Sequence, residues 1–148
     1  VPLLIEIKDP TLASGPDVGK LPARVAEVLA GYQGPVAVMS FNPHVIAAFH
    51  KAAPDIAVGL TTCAYEAGEW PMLDAATREH LASIADFDDV GASFISHDRA
   101  DLENPAVTAL KARGVPVLTW TIRSTGQEFE ARRIADNITF EDYLANIG

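Results

Sequence analysis

Continuous apolar runs alternate with amphipathic stretches along the whole of this chain. Six of the runs have strand length: Leu3 to Lys8, Val36 to Phe41, Ile56 to Leu60, Val90 to Ser96, Val115 to Ile122 and Ala135 to Thr139. Most are unbroken rather than alternating, as expected of strands buried on both faces. Helical punctuation separates them. Val25, Val28, Leu29 and Tyr32 fall on one helical face, with Gly31 and Gly34 ending the segment. Asn42-Pro43 supplies an N-cap and a first-turn proline for a helix reaching about Ala53, and Asn104-Pro105 does the same for a helix closed by Gly114. Thr125 with Glu128 forms a capping-box pattern, and Thr139 opens a terminal helix.

A βα unit repeated six times predicts a parallel sheet with right-handed crossovers, either an open doubly wound sheet or part of an eight-stranded barrel. No run is followed by a glycine-rich phosphate loop. Polar residues instead gather at the C-terminal ends of several strands: Glu6 and Lys8, Ser40, Trp120 and Arg123. Both features favour the barrel, in which such ends build the active face. Eight strands would then require two βα units ahead of Val1, which is not a methionine. Residues 61–74, with Trp70-Pro71, exceed a minimal βα turn and read as an insertion over that face, a candidate lid.

Length and charge narrow the function. The 148 residues, 49% of them hydrophobic, suit a single domain over residues 1–148. A net charge of −9 argues against nucleic acid or an anionic membrane as partner. No run has membrane-spanning length and no signal peptide is visible, so stable membrane insertion is not expected; cytoplasm and periplasm stay equally open. The single cysteine, Cys63, excludes a disulfide framework.

Glu6 and Lys8 lie two positions apart on one predicted strand and share a face, with Ile5 and Ile7 on the other. They make either a structural ion pair or a hard-cation ligand beside a phosphate-neutralising ammonium. Trp120 is either a core residue or a flat wall for a small polyol. His44, in the first turn of a helix, meets either a ligand or, the favoured reading, solvent, and His50 and His80 sit on polar helix faces and are expected to be exposed. His97-Asp98 reads as a loop with Asp98 and Asp101 facing water, because adjacent strand residues diverge. Cys63 lacks a histidine at a useful spacing for a thiol nucleophile. Residues 86–89, Asp-Phe-Asp-Asp, read as a solvated turn. Zinc motifs, Walker loops and serine elbows are absent from the sequence.

Four strings in order resemble a known family. Leu4-Ile5-Glu6-Ile7-Lys8 resembles the L-x-I-E-x-K strand of glycerophosphodiester phosphodiesterases, and Met39-Ser40-Phe41-Asn42 their S-F strand end. Residues 117–122 are similar to the V-x-x-W-T-V strand, and residues 135–139 to the closing D-G-I-x-T segment. The resemblance implies a TIM (β/α)8 barrel of which this chain supplies strands three to eight. It implies metal-dependent hydrolysis of glycerophosphodiesters to glycerol 3-phosphate and an alcohol. By resemblance, Glu6 is a ligand of a divalent cation (Ca2+ or Mg2+), Lys8 contacts the phosphate, and Phe41 and Trp120 shape the wall around glycerol. The family's H-R-G histidine, Glu-x-Asp pair and H-D histidine do not occur at matching places here, and His97-Asp98 stands too late in the order. Arg123 replaces a frequent asparagine, and Asn137 the strand-closing glycine. The fragment alone is therefore expected to be inactive and to need the missing segment or self-association to complete the barrel. The alternatives are a binding protein that kept the phosphate pocket, and an unrelated open-sheet α/β domain.

Overall fold

The computed structural model describes residues 1–145. Six parallel strands occur in chain order: β1 (Leu3–Glu6), β2 (Val36–Ser40), β3 (Ala57–Thr62), β4 (Phe94–Asp98), β5 (Val117–Ile122) and β6 (Asn137–Phe140). The helices between them are α1 (Leu21–Leu29), α2 (Pro43–Ala52), α3 (Ala75–Ala82), α4 (Pro105–Ala112) and α5 (Thr125–Ala131). Every strand pairs with its sequence neighbours, in the order β1-β2-β3-β4-β5-β6. That order decides between the two architectures. A doubly wound sheet reverses its strand order at a switch point, whereas an unbroken order with right-handed crossovers lays all helices on one face and curls the sheet. The open doubly wound alternative is therefore excluded.

The main core lies between sheet and helices. Ile7, Val38, Val58, Leu60, Ile95 and Val117 meet Ala26 and Leu29 of α1, Val45, Ile46 and Phe49 of α2, and Val107 and Leu110 of α4. Strand alternation then turns Glu6, Met39, Phe94, Ser96, Leu118 and Trp120 to the concave side. Gly59 is required there, because a Cβ on it would fall 2.4 Å from the Phe94 ring.

Asn42 and Asn104 cap α2 and α4 as expected, each accepting a backbone N–H two residues on, from His44 and Ala106, at 2.9 Å. Several expectations are corrected. The buried side of α1 is Pro22, Ala26 and Leu29, while Val28 is 74% exposed. The rest of the expected face holds, since Leu29 is in the core and Val25 and Tyr32 are partly buried against it; Val28 alone turns outward, and Ala26 and Pro22 add to the buried side. The cap of α5 is Ser124, which accepts from Gln127 N, and not Thr125; Glu128 is buried and pairs with Arg132 at 2.8 Å. Thr139 lies inside β6 and residues 141–145 are not helical; the rest of the expected terminal helix lies outside the described residues. Val90 belongs to the turns before β4. Of the acidic run, Phe87 is core, and Asp88 pairs with Arg113 at 2.6 Å. His50 is only half-exposed and packs on Gly91, which adopts φ +70°. Among the described residues no helix is long and apolar enough to cross a membrane.

Candidate active site at the strand ends

Register and alternation bring the predicted residues to one end of the sheet. Glu6 ends β1, Phe41 follows β2, and Trp120 lies opposite Asp98 on β4. Lys8, just beyond β1, donates from Nζ to Glu6 Oε1 at 2.7 Å; the Lys8 side chain is 75% exposed and that of Glu6 22%. Glu6, Lys8 and Phe41 line one cavity of about 220 Å3, together with Trp70, Leu12 and Ser14.

The aromatic side of the mouth is a ring cluster centred on Phe41. Its centroid lies 5.5 Å from that of Trp120 at 79°, 5.2 Å from Trp70 and 6.4 Å from Tyr65. Edge-on and tilted contacts of this kind suit the ring quadrupoles. Trp120 is fixed by its indole N–H, which donates to Ser96 O at 3.0 Å. The long loop after β3 thus packs over the mouth as expected, burying Cys63, Tyr65 and Leu73 against Phe41, Trp70 and Trp120. Burial pushes the Cys63 thiol up to about 11, which removes it as a nucleophile at neutral pH. Burial likewise pushes the Tyr65 phenol well above its ordinary value.

Ser40 and His97 are turned away from this mouth. Ser40 is fully buried on the helix side, where its hydroxyl donates to Ile7 O at 2.7 Å and accepts from Asn42 N. His97 corrects the loop reading: it lies in β4, fully buried, with Nδ1 2.8 Å from Thr62 Oγ1 and Nε2 3.1 Å from Asp101 Oδ2. Burial holds its pKa below the ordinary histidine value, although Asp101 pulls the other way. On the helix side it has no line to the mouth. Arg123 is engaged by Glu141, with Nε to Oε1 at 2.8 Å. His44 is exposed, as expected, and the exposed His80 pairs with Asp86 at 2.8 Å.

Asp9 and Trp70 complete the mouth, and neither was singled out as a site residue from sequence; a tryptophan beside a proline in an overlong loop was the available signal for Trp70. Asp9 is 8% exposed and accepts from Thr11 N, Thr11 Oγ1, Ser14 N and Asn42 Nδ2 at 2.7–3.0 Å. Burial alone would raise its pKa, but these hydrogen bonds outweigh it and hold the carboxyl below the usual carboxylate range. No three His, Cys, Asp or Glu side chains among the described residues are placed to hold a metal ion. Of the two carboxylates that line this cavity, Asp9 is already committed to its donors, which leaves Glu6. The donor set fits a divalent cation only as a contributor of one ligand.

No protein-family model matches the chain, and no curated protein matches it. Solved structures do. An Oleispira antarctica phosphodiesterase in complex with the product sn-glycerol-3-phosphate shares 20% identity at a TM-score of 0.59, over 80% of this chain and 44% of that one. A glycerophosphodiester phosphodiesterase from Parabacteroides distasonis shares 16% at 0.63, over 94% and 52%. A Silicibacter pomeroyi protein assigned to the glycerophosphoryl diester phosphodiesterases shares 18% at 0.69, over 94% and 46%. At these identities the likeness establishes the fold: six parallel strands and their five connecting helices, part of a TIM-type (β/α)8 barrel. The chain spans about half the length of the structures it matches.

Proposed function

We propose that this chain forms strands three to eight of a glycerophosphodiester phosphodiesterase, an enzyme that hydrolyses glycerophosphodiesters to glycerol 3-phosphate and an alcohol. One observation carries the reading. The strings that resemble the family, around Glu6-Lys8, Phe41 and Trp120, are distant in sequence, yet they meet at one mouth in a fold shared with such enzymes.

In this reading Lys8 leaves Glu6 and donates to the phosphoryl oxygens, where negative charge grows as the attacking oxygen bonds to phosphorus. Its exposure leaves it free to swing, and the cavity beside it has room for the group. Glu6 would supply one carboxylate to a divalent cation, Ca2+ or Mg2+. When bound, the cation stabilises charge on the phosphoryl oxygen as a Lewis acid. Phe41 and Trp120 pack against the carbon–hydrogen faces of glycerol. His97 takes no part in proton transfer, being sealed on the helix side. The acid–base groups come from outside the 148 residues, which by themselves do not turn over.

The test is glycerol 3-phosphate release from glycerophosphocholine by the intact protein, with and without chelator, alongside the 148-residue chain. Chelator-sensitive release by the intact protein alone is expected. Glycerol 3-phosphate binding without release would replace the reading with that of a binding protein.

A further inference from the structure

The loop between β1 and α1 is held in a conformation that packing alone does not explain. Leu12 and Ser14 adopt φ of +56° and +50°, a left-handed region that L side chains other than asparagine and aspartate seldom enter. Leu12 is also 53% exposed, so its backbone conformation is not compensated by core burial. Such outliers persist when the surroundings over-determine them, and they cluster where ligands are clamped.

Asp9 over-determines this one. Its Oδ1 accepts from Thr11 N and Thr11 Oγ1, and its Oδ2 accepts from Ser14 N and Asn42 Nδ2. Asn42 is itself immobile: fully buried, it caps α2 through Oδ1 and donates from Nδ2 to Gly15 O at 2.9 Å. The loop is therefore tied at both ends to the start of a core helix. Its consequence is the position of Leu12, which lines the 220 Å3 cavity together with Glu6, Lys8, Phe41 and Trp70.

We infer that Asp9 is a positioning residue and Leu12 a specificity-determining wall of the mouth: Asp9 locks residues 9–15 so that Leu12 meets the carbon skeleton next to the phosphate held by Lys8. This rests on the phosphodiesterase reading and adds to it the residue that selects the substrate's apolar face. A leucine held rigidly at a rim gains burial only when ligand arrives, and its conformational cost is already met in the free protein.

The experiment is steady-state kinetics with glycerophosphocholine on the intact protein and its Leu12→Ala, Leu12→Met and Asp9→Asn variants, with hydrogen exchange measured on each. Leu12→Ala should raise KM about tenfold, the scale of lost methylene contacts, with kcat and melting midpoint held. Leu12→Met, which keeps the apolar reach, should restore KM. Asp9→Asn should raise KM similarly and speed exchange at the Thr11 and Ser14 amides while β2 stays protected. Unchanged KM in Leu12→Ala, or an Asp9→Asn variant that loses stability alone, overturns the inference and leaves the phosphodiesterase reading intact. An intact protein without turnover overturns both.

Discussion

The Lys8 ammonium stands 2.7 Å from the Glu6 carboxylate at the end of β1, and both border a cavity walled by aromatic rings. A purely structural ion pair of this kind would add little, since exposed pairs contribute about 0–1 kcal/mol. Lys8→Ala should accordingly leave the melting midpoint of the intact protein within about 2 °C, read by calorimetry.

Phe41 touches three other rings, and it links the β2 end to the loop over the mouth. Phe41→Ala should destabilise the protein by about 2 kcal/mol, less than a fully buried ring because Phe41 is half-buried. Urea denaturation measures this, and Trp120 fluorescence should shift as its neighbour is lost.

His97 makes stability depend on pH with a definite sign. Its folded pKa is lowered by burial, so the unfolded chain binds more protons over the interval between the folded value and the ordinary one of about 6.5. Stability is therefore complete above about pH 6.5 and is lost as pH falls toward the folded value. Melting curves from pH 8 downward should show this fall, and His97→Gln should flatten it while leaving KM unchanged. Asp9, whose folded pKa is also lowered, adds a second loss only in the acid range below about 3.9.

The cap of α5 is testable through two neighbouring residues. Ser124 accepts from Gln127 N, so Ser124→Ala should cost about 1 kcal/mol. Thr125→Ala, at the first helical position, should cost under about 0.5 kcal/mol.

Six strands in order and the two asparagine–proline helix starts were legible because their signals are local. Val117, fully buried in an unbroken apolar run, reads as strand from its neighbours alone; Asn42 and Asn104 announce a cap by side-chain chemistry. The features that escaped depend on packing between distant segments. Val28 belongs to the same apolar face as Leu29, yet α1 buries Leu29 with Pro22 and Ala26 and leaves Val28 exposed. His97 looked like a loop residue because the partners that satisfy it, Thr62 and Asp101, are set by β3 register and by the turn after β4. Of the site, Glu6, Lys8, Phe41 and Trp120 were legible by resemblance. Asp9 and Leu12 were not, because what brings them to the cavity is a loop conformation no short pattern encodes.

Parallel kinetics of Glu6→Gln and Lys8→Ala in the intact protein test whether the Glu6–Lys8 end of β1 is half of a phosphodiester site. Glycerol 3-phosphate release should fall about 100-fold or more in each, the scale of losing one charge-stabilising group, with both variants folded as judged by circular dichroism. Release at the unsubstituted rate from either folded variant would contradict the account.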